Sequence, residues 1–211
     1  MLAHPPTLAL LSLLLLGACA NQQTTTTGFI QAQAGKPVAL VADAEDADRK
    51  IFTAPPSVLA GYHSFILDEV ALRPGPQMPA DTAAEVRDDL KQTYADALRQ
   101  AFGARLKQVQ QPGPGVLRVK AAITGFERAN VALNVVTSTL VGPVTAGGAA
   151  SEAVVIDSQT QAPVLALATH SNGTPLMGGP VGYFTQHGHA RRALVRHAEA
   201  LAALMAPAAA R

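Results

Sequence analysis

Tryptophan is absent, cysteine occurs once, and aromatic residues make up only 4% of this 211-residue chain. A single thiol excludes an intramolecular disulfide and any cysteine-rich zinc or iron–sulfur centre. Charge is equally sparse: 15% of residues are Asp, Glu, Lys or Arg, and the formal net charge is +1. So small a surplus excludes a nucleic-acid binder that works by neutralising phosphates. There is no Gly-x-Ser-x-Gly elbow, no Gly-x-x-x-x-Gly-Lys phosphate loop and no His-Glu-x-x-His metal helix. Neither a catalytic residue nor a metal or cofactor is therefore expected. What is present is apolar. At 48% hydrophobic the chain is too apolar for disorder, and its length suits one domain with appendages.

The N-terminus carries the clearest pattern. Leu8 through Leu16 is a nine-residue apolar run broken only by Ser12, the length of a secretory core and too short for a bilayer-spanning helix of about 20 residues. It ends in Leu16-Gly17-Ala18-Cys19, which resembles the lipobox of a bacterial lipoprotein signal. The small Gly17 and Ala18 let the chain enter a peptidase groove, and the only thiol stands where a diacylglycerol thioether forms. Residues 1–18 are thus expected to be a cleaved lipoprotein signal peptide, although its first residues, Met1 to Pro6, lack the usual Lys or Arg. Several acyl chains on Cys19, each stabilised by about 0.8 kcal/mol per buried methylene, would anchor the mature chain to a membrane. The next residue is Ala20 rather than the Asp that retains bacterial lipoproteins at the inner membrane. The expected address is the outer membrane of a diderm bacterium, on its periplasmic face.

Residues 19–60 read as a lipidated N-terminus and flexible tether. The run Thr24 to Thr27 shows no apolar periodicity, and Asp43, Glu45, Asp46 and Asp48 form an acidic patch without the Gly and bidentate Glu of a calcium loop. A periplasmic α+β domain is expected over residues 61–206. A strand-like stretch covers Tyr62 to Ala71, and Thr82-Ala83-Ala84-Glu85 reads as a capping box. Val86, Leu90, Tyr94, Ala97, Leu98, Ala101 and Phe102 then recur at helical spacing. Leu117, Val119, Ala121 and Ile123 alternate with Arg118, Lys120 and Thr124, predicting a strand with one buried and one wet face. Strands at Ala153 to Ile156 and Val164 to Ala168 are joined by a turn at Asp157 to Thr160. A second helix covers Thr185 to Met205, with Ala190, Leu194, Ala198 and Leu201 on one face and Arg191, Arg192, Arg196 and Glu199 on the other. The order implies a small antiparallel or mixed sheet with two amphipathic helices on one face.

Several segments together look familiar. The lipobox, Thr27 to Ile30, Tyr62 to Leu72, Pro112 to Val119, Asn134 to Leu140 and Glu152 to Thr160 resemble, in order, a proteobacterial lipoprotein family catalogued as domain-of-unknown-function family 3313. The resemblance implies one domain, an envelope location and the α+β order. It implies no activity, cofactor or catalytic residue.

Between Arg128 and Glu152 lie 23 residues without a formal charge. Three readings compete for them: a connection between strands, a surface for an apolar envelope partner or self-association, and a segment entering the bilayer. Val135, Val136, Leu140, Val141 and Val144 are the candidate partner-facing residues. Other constellations are thin. Asp68 and Glu69 are strand neighbours on opposite faces, His187 and His189 lack a third ligand, and His197 lies near the apolar stripe of the second helix. A hydrolase would have to be built on His170, Ser171, Asp157 or the His187/His189 pair. The expected function is that of a non-enzymatic binding or assembly component of the envelope, attached to the membrane through its lipid. A carrier holding lipid between sheet and helices is the alternative.

Overall fold

The computed structural model describes residues 26–73, 82–126, 148–171 and 187–206. In chain order these form α1 (Phe29–Gln33), β1 (Val41–Ala42), β2 (Arg49–Thr53), α2 (Pro56–Leu59), β3 (Ser64–Leu67), β4 (Ala71–Leu72), α3 (Ala84–Gly103), β5 (Lys107–Gln108), β6 (Val116–Phe126), β7 (Ala149–Asp157), β8 (Pro163–Ser171) and α4 (Gly188–Ala203). The fold is α+β, with one mixed sheet ordered β1-β2-β8-β7-β6-β3-β5 and β4 also paired to β6.

The centre of the sheet is an antiparallel meander. β6 pairs β7 from Leu117↔Asp157 to Phe126↔Ala149, and β7 pairs β8 from Ala149↔Ser171 to Ile156↔Pro163. Asp157 closes the β7–β8 turn: its carboxylate accepts the backbone N–H groups of Gln159 and Thr160 at 3.0 and 2.7 Å. β3 and β4 run parallel to β6. A parallel pair needs a crossover, and α3 supplies it. The stretch expected as one strand from Tyr62 is broken at Asp68 to Val70, where Asp68 turns its side chain to Arg118 at 2.9 Å.

Strand alternation sorts the sheet into two faces. Leu117, Val119, Ala121 and Ile123, with Ala153, Val155, Leu165 and Leu167, form the main core with the stripes of α3 and α4. Leu90, Tyr94, Leu98 and Phe102 of α3 are buried, as are Ala190, Leu194, Ala198 and Leu201 of α4. Phe65 and Phe102 meet at 5.7 Å between ring centres.

The opposite face differs from expectation. It is wet only in part: Arg118 and Lys120 of β6 stay half-exposed, whereas Thr124 is buried and Ile30, Ala34 and Val38 cover Val154, Ile156, Ala166 and Ala168 as a second core, with Leu40 and Phe52 at its margin. β2 also joins the sheet, pairing β8 from Arg49↔Thr169 to Thr53↔Leu165. The folded unit therefore takes in residues 29–59, which the sequence reading assigned to the tether. The reason is physical. A handful of scattered apolar residues shows no periodicity by itself, yet it suffices to cover one face of a finished sheet at roughly 1.5–3 kcal/mol per buried side chain.

The start of α3 also differs from expectation. Its N-cap is Ala83, with no side-chain cap hydrogen bond. Instead the Thr82 carbonyl accepts both Nε and Nη2 of Arg87, at 2.9 and 2.6 Å. The guanidinium one turn into the helix takes up the carbonyl before it, and the helix starts one residue later than a Thr82 N-cap would place it.

Candidate functional site

Two arrangements stand out from the packed core. The first is a line of polar groups inside the helix–sheet layer. Tyr94 of α3 donates to Oγ of Ser151 on β7 at 3.2 Å, Ser151 Oγ meets Nδ1 of His197 on α4 at 2.9 Å, and His197 Nε2 meets Oγ of Ser171 on β8 at 2.9 Å. His197 is 1% exposed. Ser151 and Ser171 stand on the inward parity of their strands, where they and the ring satisfy one another. Burial first, and then the charges of Arg196 and Arg49 and the His170 ring, push the His197 pKa from 6.5 down to about 3. Burial likewise pushes Tyr94 up to about 12.

This line pairs a serine with a histidine, and its chemistry is limited by what lies behind the ring. The second imidazole nitrogen faces the Ser151 hydroxyl rather than a carboxylate. A ring so reluctant to take a proton is a weak general base. Its evident effect is to tie α3, α4, β7 and β8 together by directional bonds within an apolar layer.

The second arrangement is an open cleft of about 430 Å³ on the seam between the sheet edge and the C-terminal end of α4. Ile51 and Leu167 from the sheet, and Ala200, Ala203 and Leu204 from the helix end, give it an apolar floor. Asp43 and Glu45 from the β1–β2 turn, with Arg49 and with Arg105 beyond α3, stand around it. Asp43 Oδ1 accepts the Glu45 backbone N–H at 3.1 Å, and Arg49 Nε pairs with Asp46 at 3.0 Å. The acidic patch is thus a solvated hairpin turn, and two of its residues border the cleft.

The hydrolase candidates are not brought together. Ser171 stands opposite Ala149 and Asp157 opposite Leu117, so they lie at opposite ends of β7, roughly 26 Å apart at strand spacing. His170 and Ser171 are strand neighbours on opposite faces, and His170 Nδ1 lies 3.8 Å from Asp48 Oδ1. Asp157 also accepts the Tyr62 hydroxyl at 3.0 Å. Burial raises its pKa, but bonds from Thr160, Gln159 and Tyr62 outweigh this and hold it below the usual value. Tyr62 is pushed up to about 12 by burial and by that same bond. His187 is the N-cap of α4 and meets the Phe126 ring edge-on at 5.9 Å. His189 is buried, and burial followed by Arg192 and Arg196 lowers its pKa. Among the described residues no group of three or more His, Cys, Asp or Glu is placed to hold a metal, and no helix is long and apolar enough to cross a membrane. Arg191 pairs with Asp89 of α3 at 2.7 Å.

Cys19, the lipobox residues Leu16, Gly17 and Ala18, and the partner-facing Val135, Val136, Leu140, Val141 and Val144 lie outside the described residues. Sequence reasoning missed Glu152, although its signal was there: it is the lone charge in the apolar strand Ala149 to Ile156. It is 2% exposed and its carboxylate accepts the backbone N–H groups of Thr27 and Ile30. At the far end of α1, Lys120 Nζ donates to the Gln33 carbonyl at 3.2 Å. Both ends of this short helix are thereby held by charged side chains of the central strands, in the sense that a helix dipole favours.

A family model described as "Protein of unknown function (DUF3313)" matches residues 28–200. The chain belongs to that family. The match begins at Gly28, beside the contact that Glu152 makes, which agrees with a folded unit starting well before residue 61. No curated protein matches this DUF3313 chain. Solved structures that resemble it do so at low identity. PelC from Paraburkholderia phytofirmans, described as a dodecamer, is 10% identical over 74% of this chain and 95% of its own, with a TM-score of 0.44. Hypothetical protein CT253 from Chlamydia trachomatis is 10% identical over 68% and 98%, with a TM-score of 0.40. XCC0632 from Xanthomonas campestris, of family DUF330, is 11% identical over 68% and 85%, with a TM-score of 0.41.

Proposed function

We propose that this DUF3313 protein is a lipid-anchored component of the cell envelope. In this reading it is held on the periplasmic face of the outer membrane by acyl chains on Cys19 and acts by binding or assembly rather than by catalysis. The observation that carries the reading is the position of the only cysteine, directly after Leu16-Gly17-Ala18 and an apolar run of secretory length. The non-catalytic part is supported by the scattering of Ser171, Asp157 and His170, and by a buried His197 whose Nδ1 meets the Ser151 hydroxyl. From Cys19 to Thr27 the chain reaches at most about 29 Å, so the domain would stay close to the bilayer. The uncharged stretch 129–151, with Val135, Val136, Leu140, Val141 and Val144, is the proposed surface for an envelope partner or a second copy.

A Cys19→Ser chain should leave the membrane fraction and lose metabolic labelling by a palmitate analogue. Its persistence in that fraction would overturn the reading. Deleting residues 135–148 should preserve the fold and remove copurifying partners, and unchanged copurification would count against the partner surface. The cleft between β8 and α4 favours a second reading, a carrier of a small amphiphile.

A further inference from the structure

We infer that the cleft at the end of α4 binds a zwitterionic phospholipid, one whose head group joins a primary ammonium to a phosphate. Ile51 of β2 presents half-exposed aliphatic surface above the buried Leu167, while Ala200 and Ala203 keep the facing wall of α4 shallow. An apolar chain can lie between such walls, and a volume of about 430 Å³ is within the range of small-ligand sites, roughly 300–1,000 Å³.

The border then decides the head group. A ligand carrying only negative charge would meet Asp43 and Glu45, and one carrying only positive charge would meet Arg49 and Arg105. Two of these four charges are already engaged locally: Arg49 holds Asp46, and Asp43 caps the turn through the Glu45 N–H. Arg105 and Glu45 are exposed and have no ion-pair partner among the described residues, including each other. They border the same space with opposite charge and do not close on one another. An ammonium beside Glu45 and a phosphate beside Arg105, with one of the two acyl chains along Ile51 and Ala203, answers both charges and the apolar floor together. The chemistry rests on the cleft; the source, a bilayer lipid, rests on the membrane-anchor reading and sharpens the carrier reading.

The full chain, purified in non-ionic detergent, is titrated with phosphatidylethanolamine and with phosphatidylglycerol of the same acyl length, and retained lipid is counted by native mass spectrometry. Phosphatidylethanolamine should be retained about threefold to fivefold better, the scale of one exposed charge contact. Glu45→Gln should remove that preference, Arg105→Gln should weaken both lipids, and Ala203→Trp, at an exposed position, should block both without disturbing the core. Equal retention of the two lipids, or retention untouched by Ala203→Trp, would overturn the inference. A Cys19→Ser chain that still selects phosphatidylethanolamine supports the cleft whatever becomes of the anchor, whereas selectivity lost with Cys19 overturns it. A chain ending at Ala206 that takes up lipid when the full chain does not would assign the cleft to the protein's own C-terminus, which also overturns it.

Discussion

The Glu152 carboxylate accepts the backbone N–H of Ile30 at 3.3 Å across 122 residues of sequence. The same carboxylate takes the N–H of Thr27, and the two bonds hold the start of α1 over a central strand. Gly28 stands between them at φ +84° as the N-cap, a conformation that glycine adopts without steric cost. Thr27 to Ile30 and Glu152 to Thr160 are distant in the sequence, and the fold brings them into contact.

Glu152→Ala should therefore leave the buried Ile30 N–H without an acceptor and cost about 1–3 kcal/mol. Glu152→Gln keeps one acceptor and should cost less. Urea unfolding measures the loss, and hydrogen exchange should quicken at Ile30 and Ala34 before it does in β6 to β8. An alanine variant as stable as the parent would show that the contact does not hold α1.

Acid should weaken the fold through His197. In the folded chain its pKa lies at about 3; in the unfolded chain it returns to about 6.5. Between those values the unfolded state binds one proton more, so stability falls as pH drops, by roughly 1 kcal/mol per pH unit. The window to examine is about pH 7 to 5, above the range where carboxylates protonate. His197→Gln should lower stability at pH 7 and flatten this slope. Parallel pH profiles of parent and variant in urea melts would refute the assignment.

Glycine-to-alanine changes should have opposite signs at two positions. At Gly115, φ is +67°, and an added Cβ would stand 2.5 Å from His63 Nε2 and 2.9 Å from the Gly61 carbonyl oxygen. Gly115→Ala should cost about 1–3 kcal/mol. Gly103, at the end of α3, has nothing within 4 Å of such a Cβ. There alanine should stabilise by about 0.5–1 kcal/mol through its helix propensity. Thermal midpoints of the two variants, moving in opposite directions, check both statements.

Local patterns in the sequence determined the α+β class, the stripes of α3 and α4, the inward parity of β6 and the Asp157 turn. Such features are legible because each depends on residues a few positions apart: a helix repeats every 3.6 residues, a strand every two, and a carboxylate caps its own turn. The proposed anchor at Cys19 is of the same kind, a pattern within one short segment. Tertiary structure alone decided that residues 29–59 belong to the fold, because their few apolar side chains acquire meaning only against a completed sheet face. It also decided that Ser171 meets His197 rather than its neighbour His170, since adjacent strand residues point apart. The cleft is likewise tertiary: Arg105 and Glu45 are 60 positions apart in the sequence. No local rule relates two charges so distant, and packing of α4 against the edge of the sheet makes them border one space.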